Sequence, residues 1–190
     1  MGKKTNGKRI ECSKSDKEAS ARSYKQTKEK IVKIFDKKKI EKEVKCSEIL
    51  FTLCLSPHFI GCFSEDDLDR LEVCYPCFMI VNIDSSDRKG SHWVALRLDF
   101  KSVEIFDPSG FEFFKWKIVP STLINFLYEH SFGKKLLISP CLQSESSEIC
   151  GLYCIFYVFY RNFNSFNRLC SLFSSVLSEN DDRLYLLLDV

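Results

Sequence analysis

Large apolar side chains are sparse over the first 44 residues and then recur in blocks whose period changes along the chain. In the sparse stretch, Ile31, Ile34 and Phe35 of EKIVKIFDKKKIEKEV stand at helical spacing among lysines, which predicts part of it as helix. SEILFTLCL (47–55) reads as a short helix opened by Ser47 as N-cap, with Glu48 in its first turn. SPHFIGCF follows as a loop punctuated by Pro and Gly, and SEDDLDRL as a polar turn or short helix. CFMIVNI (77–83) is a continuous apolar run of strand length, as expected for a strand covered on both faces. HWVALRLDFKSVEIFD (92–107) alternates and reads as a hairpin. A turn centred between Asp99 and Phe100 would set His92 opposite Asp107, Val94 opposite Ile105 and Leu96 opposite Val103. That face is apolar and ends in a His/Asp pair; the other carries Trp93, Ala95, Arg97, Glu104 and Phe106.

Beyond a Pro-Ser-Gly turn, VPSTLINFLYEH (119–130) has helical spacing, KKLLIS (134–139) is strand-like, and CGLYCIFYVFYRNF (150–163) is apolar enough for a central helix. The tail offers two short amphipathic segments. The order predicts an α+β fold: a central mixed sheet of at least four strands flanked by helices.

Charge divides the chain where the hydropathy does. Residues 1–45 hold sixteen Lys and Arg against seven Asp and Glu, while the remainder holds twelve against nineteen, so the net +2 conceals a basic arm on an acidic body. We expect a flexible extension over residues 1–44 and one folded domain over 45–190. Such an arm is ordinarily a solvated tail; its sharper reading is contact with a polyanion such as DNA, and KRIECSKSDK and DKKK also fit a nuclear-targeting signal. The ten cysteines lie inside apolar runs such as FTLCLS and CIFYVFY, and the chain opens MGKKTNGKRI with no signal-peptide h-region. An intracellular, reducing setting is therefore expected. The longest apolar run, 150–160, is too short to cross a bilayer, and no membrane segment is predicted. Cys74-Tyr75-Pro76-Cys77 has the spacing of a redox pair or half a zinc site, but no second pair follows, and no metal is expected.

The chemistry gathers at four positions. Cys150 opens a helix, where free N–H groups favour negative charge on sulfur, and Gly151 beside it leaves room for a substrate backbone. His92 is a candidate base, with Asp107 across the hairpin to hold its tautomer. Gln143, seven residues before Cys150, carries an amide suited to an oxyanion hole alongside the Cys150 N–H. Singly, each has a plainer role: a structural histidine at a strand start, a core thiol, a turn-forming Asp before Pro-Ser-Gly, a loop amide. Together, and in this order, they form a nucleophile with base, orienter and oxyanion donors.

His92-Trp93, Phe106-Asp107-Pro108, Gly110-Phe111, Gln143 and Cys150-Gly151-Leu152 resemble the adenovirus proteinase family, and more distantly the deconjugases of ubiquitin-like modifiers. Upstream PHFIG (57–61) and MIVN, and downstream NDDRLYLLL, extend the resemblance in patches from about residue 47 to the end. The resemblance implies a cysteine endopeptidase with His92 as base, Asp107 as third member, Gln143 in the oxyanion hole and Cys150 as nucleophile. It implies viral precursor proteins as substrates, cleaved at Gly-containing sites, and a host-nuclear and virion setting. It raises DNA or a peptide as activator, although Cys141 is a poor match to the cysteine through which that peptide is linked. The chain departs from the family in carrying Asp where Glu is common, in its shorter C-terminal region and in the basic arm. A modifier deconjugase, or a nucleic-acid-binding protein with a non-catalytic protease-like body, are the alternative readings.

Overall fold

A computed structural model of the protein describes Gln26 and residues 44–88, 90–110 and 119–188. The expected extension over residues 1–44 falls almost wholly outside them. A helix, α1, runs Cys46–Leu53 and is capped two residues earlier than Ser47 would cap it: Lys45 is the N-cap, and its N–H donates to Glu48 Oε2 at 2.8 Å.

The segment expected as a loop after α1 is instead a strand, β1 (Phe59–Ser64), followed by a 3-10 turn at Glu65–Arg70. Its register slips between Phe59 and Gly61, and Gly61 sits at φ +149. Glycine at a bulge on an edge strand is tolerated where a central strand would exclude it. The Pro57 and Gly61 punctuation therefore marks an edge strand, where it was read as a break.

Strands β2 (Cys77–Asn82), β3 (Trp93–Leu98), β4 (Ser102–Phe106) and β5 (Lys135–Ile138) complete a five-stranded sheet in sequential order. The pairs β1–β2 and β4–β5 are parallel, while β2–β3 and β3–β4 are antiparallel. This pattern has one decisive result. The C-terminal ends of β1, β2, β4 and β5 and the N-terminal end of β3 all emerge at the same end of the sheet. Ser64, Asn82, His92, Asp107 and Ser139 are thereby gathered from distant parts of the chain.

The β3–β4 hairpin forms, but its register differs from expectation by two residues. Leu98 pairs with Val103, Leu96 with Ile105 and Ala95 with Phe106, so the turn falls on Phe100 and Lys101. The cause is Asp99. Its carboxylate accepts from Phe100 N at 2.6 Å and Arg97 Nη2 at 2.5 Å, and its N–H donates to Ser102 O at 2.9 Å. Asp99 thus closes the turn and leaves Leu98 and Val103 as the last buried apolar pair. Because the shift is even, each side chain keeps its face.

One face of the sheet packs Met79, Val81, Val94, Leu96, Val103 and Ile105 against Leu123, Phe126 and Leu127 of α2 (Ser121–Ser131). The other packs Phe78, Ile80, Ala95 and Phe106 against α3 (Cys150–Arg161), whose side chains from Cys150 to Phe159 are all buried. Short α4 (Phe166–Cys170) and α5 (Asn180–Leu188) close the far side of α3 through Leu169, Leu184 and Leu188.

A buried charge pins the C-terminal end of α3 to the sheet. Glu104, on β4 and 1 % exposed, accepts from Tyr157 Oη at 2.8 Å, from Arg161 Nε at 2.8 Å and Nη2 at 2.7 Å, and from Arg97 Nη1 at 3.3 Å. Burial works against the Arg161 charge, but the Glu104 contacts outweigh it and raise its pKa. The Tyr157 ring also stacks on Phe106, centroids 4.6 Å apart. Glu104→Ala would leave two guanidinium groups and a hydroxyl without their shared acceptor. We expect it to cost about 3–5 kcal/mol in denaturant-induced unfolding; a cost below ~1 kcal/mol would show that this cluster does not hold the helix.

Candidate active site

His92 and Asp107 lie one residue outside their strands, where the alternation of the sheet ends. In the observed register Asp107 is diagonal to His92, yet the side chains meet: His92 Nε2 and Asp107 Oδ1 are 2.7 Å apart. Ser109 N also donates to that oxygen at 2.8 Å. With Nε2 taken by the carboxylate, Nδ1 is the nitrogen left to face Cys150, whose side chain also helps to raise the imidazole. Burial pulls the imidazole down, but the hydrogen bonds to Asp107 and Cys150 and the nearby negative charge outweigh it, and His92 is pushed up to about 10. The structure thus brings His92, Asp107 and Cys150 together.

Cys150 is the first residue of α3 and 6 % exposed. As first-turn groups, its N–H and that of Gly151 have no carbonyl partner within the helix. Gly151 is required by packing: a Cβ there would stand 3.0 Å from Val44 Cβ and 3.2 Å from Trp93 Cδ1. Trp93 is itself fixed by its indole N–H, which donates to Val44 O at 3.1 Å. Five other thiols, Cys62, Cys77, Cys141, Cys154 and Cys170, have their pKa raised, chiefly by burial. Cys154, one turn after Cys150, is fully buried and donates to Trp93 O at 3.3 Å. In the Cys74/Cys77 pair, Cys77 is a core residue of β2. Among the described residues no three His, Cys, Asp or Glu side chains form a metal-binding group, and no helix is long and apolar enough to cross a membrane.

Gln143 is placed near this group but aimed elsewhere. Its N–H and that of Leu142 donate to Pro108 O, both at 2.8 Å, so the loop before α3 is docked on the residue after Asp107. Its side-chain nitrogen, however, donates to Ser147 O at 2.6 Å and Ser147 Oγ at 3.1 Å, and its Oε1 is buried with no hydrogen-bond partner.

Three residues to which the sequence reading gave no role of their own hold this arrangement. Ser139 Oγ accepts from Asp107 N at 2.9 Å and donates to Asp107 O at 2.8 Å, clamping the acid's backbone to the exit of β5. Asn180, fully buried at the start of α5, donates to Leu142 O at 2.8 Å and Ser174 O at 2.9 Å and accepts from Ser174 N at 2.7 Å. Gly110, at φ +77, lies so close to Cys141 that a Cβ would meet its backbone at 2.7 Å. The signals were a Ser closing a strand before Pro140, an Asn opening a helix and a Gly in a turn, of which only Gly110 entered the family resemblance.

The chain matches no protein-family model. It is 29% identical over 138 residues to the protease of Bovine adenovirus 4, a match covering 63% of this chain and 65% of that protein. The chain thus spans somewhat less than two thirds of the curated relative it matches. Among solved structures it superposes on the ASFV pS273R protease with a TM-score of 0.53 at 18% identity, covering 97% of this chain and 91% of the other. The SUMO protease Ulp1 aligns with a TM-score of 0.42 at 12% identity, over 88% and 94% of the two chains. The chain has the α+β fold seen in the ASFV pS273R protease and is similar in sequence to the protease of Bovine adenovirus 4.

Proposed function

We propose that the protein is a cysteine endopeptidase in which Cys150 is the nucleophile, His92 the general base and acid, Asp107 the orienting carboxylate and Gln143 an oxyanion donor. The observation that carries this reading is the 2.7 Å His92–Asp107 pair beside Cys150 at the start of α3, with the imidazole pushed up to about 10 by both neighbours. The attacking form of a cysteine is the thiolate, and an imidazole so basic holds the proton beside it at neutral pH. Attack on a peptide carbonyl forms a tetrahedral oxyanion, which the free N–H of Cys150 is placed to receive. His92 then protonates the leaving amine, and water, deprotonated by the same imidazole, releases the acyl group.

For Gln143 to join the oxyanion hole, its amide nitrogen must exchange Ser147 O for the oxyanion. Its unpartnered Oε1 makes the present position costly, since a buried acceptor left unsatisfied forfeits about 1–3 kcal/mol. The substrates we infer are proteins cut beside glycine, viral precursors among them, on the strength of the likeness to the adenovirus protease.

A peptide-like, thiol-reactive electrophile should label one cysteine of the ten, Cys150, and Cys150→Ala should abolish both labelling and cleavage of Gly-containing peptides. Equal behaviour of wild type and variant in every cleavage assay would sink the enzymatic reading. The pH profile of kcat/KM gives a second check. His92 acts while protonated, so activity should persist above the ordinary imidazole range and fall as pH rises through about 10. The same raised value adds folding stability that is complete below 6.5 and lost as pH rises through about 10. Asp107→Asn removes the strongest contact holding the proton and should move the alkaline limb downward; a limb that stays put in this variant would show that Asp107 does not orient the base. Gln143→Ala should lower kcat roughly 10²–10³-fold with little change in KM, as measured by steady-state kinetics.

A further inference from the structure

At the same end of the sheet as His92, on the β1–β2 side, is a cavity of about 340 Å³. Its walls include Val44 and Trp93, the two side chains packed against Gly151 next to the nucleophile. The cavity therefore adjoins the catalytic group. Its polar lining comes from the exits of β1 and β2 and from the loop into β3: Ser64, Asn82, Ser85 and Arg88, with Lys45 from the start of α1. Both charged residues in that lining are cations, although the chain from residue 46 onward is net acidic.

Asn82 points to what the cavity holds. It is 5 % exposed, and its Oδ1 is used locally, accepting from Asp84 N at 2.9 Å. Its side-chain nitrogen has no hydrogen-bond partner among the described residues and rests against Gly90, 2.3 Å from where a Cβ would stand. Gly90, at φ +85, also lines the cavity, and any side chain there would displace the amide. The residue is buried but that nitrogen is not sealed off, so it is left able to donate to a group that enters the cavity. Arg88 is only loosely engaged: its Nη1 is 3.9 Å from Asp84 Oδ1, and its side chain is 72% exposed. An amide donor, a guanidinium and an ammonium around one polar cavity match a carboxylate, which only accepts hydrogen bonds.

We propose that this cavity is a specificity subsite for an acidic side chain, Asp or Glu, of the protein substrate, lying a few residues from the scissile bond. The Asn82 amide donates to the carboxylate inside the cavity, and Arg88 and Lys45 neutralise it at the rim. This subsite rests on the proteolytic reading above, because it supplies the polypeptide that crosses Cys150. Its charge preference is a property of this cavity and does not follow from the catalytic residues.

The test uses blocked peptides with a Gly-Gly core, in which one Glu, Gln or Lys is moved through four positions on each side of the glycines. We expect one position at which wild type favours Glu over Gln by about tenfold in kcat/KM, the size of a charge-assisted hydrogen bond. Arg88→Glu, at an exposed side chain, should collapse that Glu/Gln ratio and raise the Lys/Gln ratio at the same position. Cleavage with no Glu preference anywhere, or a preference unchanged in Arg88→Glu, overturns the subsite and leaves the protease reading standing. Binding of the same peptides to Cys150→Ala, followed by fluorescence anisotropy, separates the two ideas. Acid-selective binding by a protein whose wild type never cuts supports the subsite and sinks the protease. Equal binding of Glu and Gln peptides at all positions sinks the subsite whatever the turnover shows.

Discussion

The site depends on two neighbouring strands that run the same way. Because β4 and β5 are parallel, the turn that leaves β4 and the segment that leaves β5 emerge side by side, and the Ser139 hydroxyl ties one to the other through both backbone groups of Asp107. Pro108 O then receives two N–H groups from Leu142 and Gln143. Asp107 and the loop preceding Cys150 are thus tied into one piece before any side-chain chemistry is considered. His92 is brought to this piece from the antiparallel neighbour, and Cys150 from the helix lying across the sheet. An antiparallel β4–β5 pair would have sent Gln143 to the opposite end of the molecule.

Much of this was legible in the residues. Alternation from His92 to Asp107 announced a hairpin ending in a His/Asp pair, and the run from Cys150 announced a buried helix with a thiol at its start. The hairpin was displaced by two residues because Asp99 caps its own turn, and a preference held in one carboxylate does not alter hydrophobic periodicity. The pairing of His92 with Asp107 survived because an even shift preserves the face and long side chains bridge the diagonal. β1 was hidden by Pro57 and Gly61, which mean a break in most settings and an edge strand here.

What the residues did not announce was direction. Gln143 sits at the expected place in the chain, but its amide turns toward Ser147, a choice made by a local hydrogen bond that composition and spacing do not encode. Ser139 and Asn180 were invisible for a related reason. Each acts by bridging segments that are remote in sequence, and a single polar residue gives no periodic signal. Pattern reveals elements, whereas the contacts that align them are made by isolated side chains.

The Glu104 cluster has a geometric consequence. α3 is anchored at one end by Tyr157 and Arg161 and carries Cys150 at the other, twelve residues in all, so it works as a ruler between a fixed point and the sulfur. Each residue of an α-helix turns the chain by about 100° and advances it 1.5 Å. One residue inserted or deleted between Cys150 and Tyr157 would swing the sulfur to another side of the helix while every side-chain type stayed the same. The length of this helix is therefore as much a condition on where the sulfur stands as the choice of residue at position 150.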